Sequence, residues 1–484
     1  MRVQHRHVIY VQGYDPRGLA QYYRMFRTEL RKFSELYGLS ASIGRPQDAS
    51  GGETASWTIE TRAVDWTTWT KYDFLRWEDL IQRDLAAPIW QTVLHATGLF
   101  WRAVFTNTLG RFWKANWRFA TFVLYPHFVF LVQALGSLGL AVALSQGLQA
   151  ALATGLGQKM GVADIPVWTF WIVGGLVFAG ILTALLKWTE RWTYLLYLLS
   201  DGIWTWEFSH GRRPEWDRRI DHFAKQLVEL VRRNDAEEIV IVGHSSGSFL
   251  SIEILARALH LDRALGSYGP RLVLLTVGGN LPIVGFHAVS QAFREHLQLL
   301  ATETSVDWID CQSRKDVMNF YPFDPISGHG IEVGAARRNP FIVPVRFREI
   351  IRPENYRLFR WKFFRVHFQF VMANEVPHAY DFFMIVCGPV PLRERMTLPE
   401  AALAVAVGEA ETRLGAWKNL ETCSNRPELP PFSISDTPSL ASSPAERLRG
   451  WSGLSRHFLS PDRLDAGWLL RLLWCKGWRT MGRG

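Results

Sequence analysis

EEIVIVGHSSGSFLSIEILARAL, residues 237–259, passes from an apolar run into apolar residues at helical spacing. The passage runs through a glycine, a histidine, two serines and another glycine. Ile239, Val240, Ile241 and Val242 form a short β-branched run, the mark of a strand buried on both faces. From Phe249 onward, Leu250, Ile252, Ile254, Leu255 and Leu259 recur at helical intervals. The junction fits G-x-S-x-G with Ser245 at its centre. A serine so placed sits in a sharp, strained turn, and glycine on each side lets strand and helix approach closely. Its hydroxyl is then presented at a helix N-terminus, whose N–H groups can stabilise an oxyanion.

Working outward, HVIYV (His7–Val11) is another short buried strand, ending in the turn composition Gly13-Tyr14-Asp15-Pro16. Ser56–Val64 reads as a second strand. Pro214–Arg233 reads as a helix, with Pro214 at its start and Ile220, Phe223, Leu227 and Leu230 on one face. Arg271–Pro282 gives the next buried strand, and Val306–Phe320 holds one ending near Gln312. Lys362–Met372 alternates Phe364, Val366, Phe368, Phe370 and Met372 against Arg365, His367 and Gln369, which predicts a half-buried strand.

The strand, elbow and helix around Ser245 resemble the nucleophile elbow of α/β-hydrolase-fold serine hydrolases, the superfamily of lipases, esterases and thioesterases. The resemblance covers roughly residues 5–65 and 214–388. It implies Ser245 as nucleophile, followed along the chain by an acid and a histidine. It places the acid just past the strand ending near Gln312, where Asp316 stands; Asp310 lies within that strand and Asp324 in a Pro-rich turn. It places the general base on the loop after the last strand, where His378 stands. His367 takes that role instead if Lys362–Met372 is a helix or the strand ends early. His244 is then an elbow neighbour and not a base, and His329 has no supporting context. The oxyanion hole falls to the amides of Tyr14 and Ser246, although Gln12-Gly13 replaces the usual histidine-glycine. In such a set the imidazole takes the serine proton during attack, and the aspartate fixes its tautomer.

A minimal fold of this kind joins its second strand to the helix before the elbow by a short connection. Here residues 66–213 intervene, far more than an ordinary loop. No charged side chain occurs between Arg118 and Lys159 or between Asp164 and Lys187. Stretches of this length suffice to cross a hydrocarbon core of about 30 Å, so two transmembrane helices are expected at about 119–144 and 165–187. Trp101, Trp113 and Trp117 precede the first and Trp188, Trp192 and Tyr194 follow the second, at headgroup level. Arg102, Arg111, Lys114 and Arg118 on one side and Lys187 and Arg191 on the other place the hydrolase domain on the cytoplasmic side by the positive-inside rule. No signal peptide is expected, since a buried strand begins almost at once.

The expected class is therefore α/β: an α/β-hydrolase, mostly parallel sheet with helices on both faces, plus an inserted α-helical transmembrane hairpin. Residues 1–65 and 214–388 form the two parts of the domain, 66–213 the insertion, and 389–484 a C-terminal region. That region holds an alanine-rich helix (Leu398–Trp417), a Pro/Ser-rich disordered linker (Ser424–Glu446) and a basic Trp/Leu-rich tail. The net charge of +9 fits anionic lipid rather than nucleic acid, because the arginines interleave with tryptophans beside apolar spans. Four cysteines, Cys311, Cys387, Cys423 and Cys475, have no paired spacing, which suits a reduced compartment. No metal-ligand spacing, Walker loop or dinucleotide glycine pattern occurs, so neither metal nor cofactor is expected. The expected partners are the lipid bilayer and a lipophilic acyl substrate. The expected activity is hydrolysis of an ester or thioester; the alternatives are acyl transfer by the same residues and a non-catalytic membrane scaffold. The sequence names no protein partner.

Overall fold

A computed structural model describes residues 2–48, 52–153, 167–398, 403 and 433–434. The connection between the two apolar stretches, nearly all of the alanine-rich segment, almost the entire Pro/Ser-rich stretch, the basic tail, Cys423 and Cys475 lie outside these residues. The described chain is α/β. Its strands are β1 (His5–Val11), β2 (Ser40–Ile43), β3 (Gln47–Asp48), β4 (Thr54–Arg62), β5 (Thr67–Leu75), β6 (Glu238–His244), β7 (Arg271–Val277), β8 (Val306–Gln312), β9 (Phe341–Pro344) and β10 (Ser433–Ile434). They form one mixed sheet in the order β10-β2-β4-β5-β1-β6-β7-β8-β9, with β3 paired to β4. From β5 to β9 every pairing is parallel, and β4 runs antiparallel to both β2 and β5.

β6, in the middle of the parallel part, is buried on both faces, which is why it reads as an apolar run. Side-chain alternation sends Trp57 of β4 against Phe26 of the helix Leu19–Tyr37, while Thr54 bonds Gln226 of the helix Pro214–Arg233. Helices therefore cover opposite faces. One face holds an aromatic cluster in which Tyr10 and Phe74 pack on Tyr22, and Phe383 packs on Phe26. The other end of the strands is held by a buried ion pair, Arg6 Nε to Glu238 Oε2 at 2.8 Å. Both partners also bond backbone beyond them: Arg6 donates to the Val390 carbonyl, and Glu238 accepts the Leu392 N–H. These extra bonds satisfy charges that burial would otherwise make costly.

Two sequence expectations need correction. Lys362–Met372 is not a strand: Phe363–Phe368 is α-helical and Gln369–Val371 a 3₁₀ turn. Val366 and Phe370 are both buried four residues apart, so the alternation was an incomplete view of a helical face. The boundary at residue 65 was also early. Thr67–Leu75 is a full strand between β1 and β4, joined to β4 by a tight hairpin in which Ala63 N–H meets the Trp66 carbonyl at 3.0 Å. Its signal was present as alternation, with Thr68, Thr70, Tyr72 and Phe74 buried.

The chain divides into two compact units. The first contains the sheet and extends to Arg83; it also takes Asn107–Phe119 and the described chain from Thr205, parts of the region expected to be insertion. The second contains Asp84–Thr106 and Ala120–Trp204. Trp117–Ala153 and Val167–Thr193 are long helices, and the stretches Trp117–Ala151 and Trp168–Thr193 are long and apolar enough to cross a membrane. Only 22% and 6% of their most apolar windows are buried, which is not how core helices behave. The two helices are antiparallel neighbours. Gln133 Nε2 donates to Thr189 Oγ1 at 2.9 Å, and a Cβ on Gly174 would stand 2.8 Å from Ser145 Oγ. Small residues and side-chain hydrogen bonds at such contacts suit helices surrounded by lipid.

The tightest backbone contact of the sheet domain lies at Gly247, where a Cβ would be 2.0 Å from the Val11 carbonyl oxygen. Backbone on both sides leaves no flexible atom to yield. Gly247→Ala should therefore lower stability by about 3 kcal/mol, the upper end for overpacking, read by thermal unfolding. Gly18→Ala, with open space around it, should cost only a few tenths of that unit. Equal melting of the two variants would disprove the close approach.

Candidate active site

Ser245 lies between β6 and the helix Gly247–Leu261 with φ +58°, a left-handed conformation that non-glycine residues rarely adopt. Its N–H donates to the Val277 carbonyl at 3.2 Å, and its own carbonyl accepts the Ser248 N–H at 2.9 Å. Both neighbouring glycines are required by space. A Cβ on Gly243 would fall 2.6 Å from the Gly247 carbonyl oxygen and 2.8 Å from Ser248 Cα. The loop after β1 runs directly against the turn: a Cβ on Gly13 would lie 2.9 Å from Ser245 Cβ. Tyr14, next in that loop, and Ser246 are both buried. Ser246 Oγ accepts from Asn280 Nδ2 at 3.3 Å, and the Asn280 N–H donates to Ser248 Oγ at 3.3 Å.

Asp316 meets His367, not His378. His367 Nδ1 lies 2.7 Å from Asp316 Oδ2, with both side chains buried. The second oxygen, Asp316 Oδ1, accepts the Met318 N–H at 2.9 Å. A carboxylate only accepts, so Nδ1 carries the imidazole proton and Nε2 keeps its lone pair. That Nε2 is buried without a hydrogen-bond partner. The ring edge borders the strand end that anchors Ser245: a Cβ on Gly278, the residue after Val277, would lie 3.3 Å from His367 Cε1. The same glycine, at φ +57°, admits the Phe370 ring. The short helix turns His367 toward Asp316 and Phe370 onto Gly278, one turn apart.

His378 stands elsewhere. Its Nε2 is 3.5 Å from Glu349 Oε2, and its Nδ1 accepts the Tyr380 N–H at 3.1 Å. The preference for His378 is thus corrected by the helical course of the segment before it. Asp310 and Asp324 are also placed apart from the histidine: Asp310 bonds Thr276 and Gln312, and Asp324 pairs with Arg337.

Two side chains beyond the expected triad and oxyanion hole support this arrangement. His244 is buried against His367, ring centroids 4.8 Å apart, and its Nε2 lies 3.2 Å from the His367 carbonyl. A carbonyl accepts only, so Nε2 donates and Nδ1 is left to accept from the Tyr10 hydroxyl at 3.3 Å. Burial, reinforced by the neighbouring His367, holds the His244 pKa well below the usual range, so it stays a neutral support. Arg17 is buried, grips Asp15 in its own loop, and lies with its guanidinium carbon 4.3 Å from the Phe368 ring centroid. It thereby ties the loop after β1 to the helix bearing His367. The only early signal nearby was the turn composition Gly13-Tyr14-Asp15-Pro16, which stops short of Arg17.

The Asn107–Phe119 segment packs on the loops that follow β7 and β8. Phe119 packs on Phe320 with ring centroids 4.1 Å apart. Asn116 Nδ2 donates to the Tyr321 carbonyl at 3.0 Å, and Arg118 Nη1 to the Arg314 carbonyl at 2.9 Å. The loop carrying Asp316 is therefore fastened to the segment that leads into the first long apolar helix. Among the described residues, no group of three or more His, Cys, Asp or Glu side chains could hold a metal ion.

Comparison with known proteins finds no matching protein family, no similar curated protein and no similar solved structure.

Asp310, on β8, is fully buried, and burial pushes its pKa up to about 6 despite the bonds from Thr276 and Gln312. A carboxyl raised in the folded state favours folding when protonated. Its contribution is complete below the unfolded pKa near 3.8 and is lost as pH rises through about 6. The melting temperature of Asp310→Asn should lack the component of pH dependence that the native chain shows across this window. Parallel melting curves for the two proteins from pH 4 to 7 would disprove the shift.

Proposed function

We propose that the chain is a membrane-anchored serine hydrolase of the α/β-hydrolase type, cleaving an ester or thioester of a lipophilic acyl compound. The observation that carries this reading is the buried Asp316–His367 pair, with its distal nitrogen unpartnered, packed on the ring of His244, the residue before a serine held at positive φ. Most buried side-chain polar atoms find a partner, and left-handed backbone at a non-glycine residue is uncommon, so the two together support a functional reading. In this mechanism Ser245 Oγ attacks the acyl carbonyl carbon and passes its proton to His367 Nε2. Asp316 stabilises the imidazolium. The oxyanion faces the amides of Tyr14 and Ser246. Collapse expels the alcohol or thiol, which takes the proton from Nε2, and water then releases the acid by the same steps in reverse roles.

Membrane anchoring is supported by two apolar helices with little burial and by aromatic rings left exposed around them. Trp101, Trp113, Trp117, Trp168, Trp171 and Trp188 are all more than two-fifths exposed, as interfacial rings are. The loop carrying Asp316 is bonded to Asn116 and Arg118, just ahead of the first apolar stretch in the chain, which supports a substrate borne by lipid. In nanodiscs of anionic lipid, long-chain acyl esters should be hydrolysed faster than short soluble ones. Ser245→Ala should abolish both turnover and fluorophosphonate labelling. His367→Ala and Asp316→Asn should each lower turnover by about 10³–10⁴-fold, while His378→Ala leaves it unchanged. Labelling that survives in Ser245→Ala would sink the mechanism, and a preference for short esters would sink the lipid assignment.

The cationic flanks of the apolar helices, Arg111, Lys114 and Arg118 before and Lys187 and Arg191 after, support a cytoplasmic α/β domain. With the four native cysteines removed, Asn234→Cys should react with an impermeant thiol reagent only after cell lysis, and Gly161→Cys in intact cells. The reverse pattern would refute this orientation.

A further inference from the structure

Between the helix Thr108–Ala115 and the loops following β7 and β8 lies an open cavity of about 820 Å³. Three cations line it: Arg111, Lys114 and Arg294. The one acid in its lining is Asp324, whose carboxylate is already paired with Arg337 and also accepts the Ile326 and Ser327 N–H groups. The two arginines are fixed without being neutralised. Arg111 Nη1 donates to the Phe286 carbonyl at 2.7 Å. Arg294 donates to the carbonyls of Gly285, His287 and Ala288 at 2.8–3.0 Å. Carbonyls orient a guanidinium but leave its full charge, and guanidinium and ammonium groups in one cavity suit a phosphate.

His329 is a further residue of the lining. His329 Nδ1 lies 2.6 Å from the Pro325 carbonyl, so that nitrogen donates and Nε2 keeps its lone pair. This Nε2 is buried, unpartnered and packed on Gly285 in the lining: a Cβ there would be 2.2 Å away. Burial holds the His329 pKa near 4, so the ring remains neutral and adds no charge to the cavity. The charge of the lining therefore comes from its three cations, and a phosphate ester matches it. Phe286 and Phe323 supply apolar walls.

Position selects the source of the phosphate. The cavity is walled by the helix that ends just before Trp117, where the first apolar helix begins, and the exposed Trp113 neighbours Lys114 on it. We propose that this cavity binds the phosphate of an anionic phospholipid headgroup. The proposal rests on membrane anchoring of the chain and is independent of chemistry at Ser245.

The test uses the full chain in zwitterionic micelles, titrated with short-chain phosphatidic acid and followed by tryptophan fluorescence and calorimetry. Saturable binding is expected, with affinity reduced about tenfold or more in Arg111→Gln/Lys114→Gln. Lys114→Gln alone, which removes no hydrogen bond within the described protein, should weaken binding severalfold and guards against misfolding of the double variant. Ser245→Ala should bind normally. Absence of saturable binding overturns the proposal. So does unchanged affinity in both cavity variants, or an equal loss in Arg346→Gln/Arg348→Gln, whose exposed cations lie outside the cavity. Glycerol 3-phosphate or inorganic phosphate binding as tightly as the lipid would assign the cavity to a soluble phosphate and overturn the lipid source. Release of the protein from membranes by alkaline carbonate, with micellar binding intact, would isolate failure of the anchoring premise.

Discussion

At Gly247 the start of a helix comes so near the Val11 carbonyl that a methyl group has no room. This contact brings β1 and β6 together at their carboxyl ends, and the rest of the candidate site is arranged around it. The loop leaving β1 can then pass against Ser245 at Gly13, and the helix can begin with its amides beside the serine. A side chain at either elbow glycine would force strand and helix apart and relax the positive φ of Ser245. Strain of this kind persists only where surrounding structure over-determines it. Here the N–H of Ser245 is bound to β7 and its carbonyl to the helix, so the turn is fixed from both sides.

The histidine is held by a different set of contacts. Its helix is pinned through Phe370 on Gly278, through Phe368 beneath the Arg17 guanidinium, and through its own carbonyl on His244. Three elements distant in sequence thus fix one ring. Such convergence makes the Asp316–His367 bond a property of the assembled domain and not of either loop alone.

The elbow was legible because its requirements are local: a buried strand, two glycines and a helix succeed one another within one short stretch. Asp316 was legible from its place after β8. The histidine was not, because Val366, Phe368 and Phe370 fit an alternating pattern as well as a helical one, and only the packing on Gly278 decides between them. β5 was overlooked for a related reason. Threonines fill half of its inward positions, so it lacks the aliphatic run that announced its neighbours. Arg17 and His244 are ordinary residues in sequence, and their importance comes entirely from what the fold sets beside them. The apolar helices, by contrast, were visible from composition alone, since a chain without charge over such lengths is suited to a hydrocarbon core and to little else.

The bonds from Asn116 and Arg118 have a practical meaning for anyone wanting a water-soluble form of the sheet domain. Cutting out everything between β5 and the helix Pro214–Arg233 would remove more than the greasy part of the chain. It would strip the loop bearing Asp316 of Asn116 at the Tyr321 carbonyl, of Arg118 at the Arg314 carbonyl, and of the Phe119 ring lying on Phe320. Each orphaned carbonyl that stays buried costs about 1–3 kcal/mol. The excision has to run from residue 84 to 106 and from 120 to 204, leaving Asn107–Phe119 in place as a separately tethered strap. In engineering terms the sheet domain and the apolar unit are spliced, with the length Asn107–Phe119 between two stretches of the apolar unit belonging to the sheet domain.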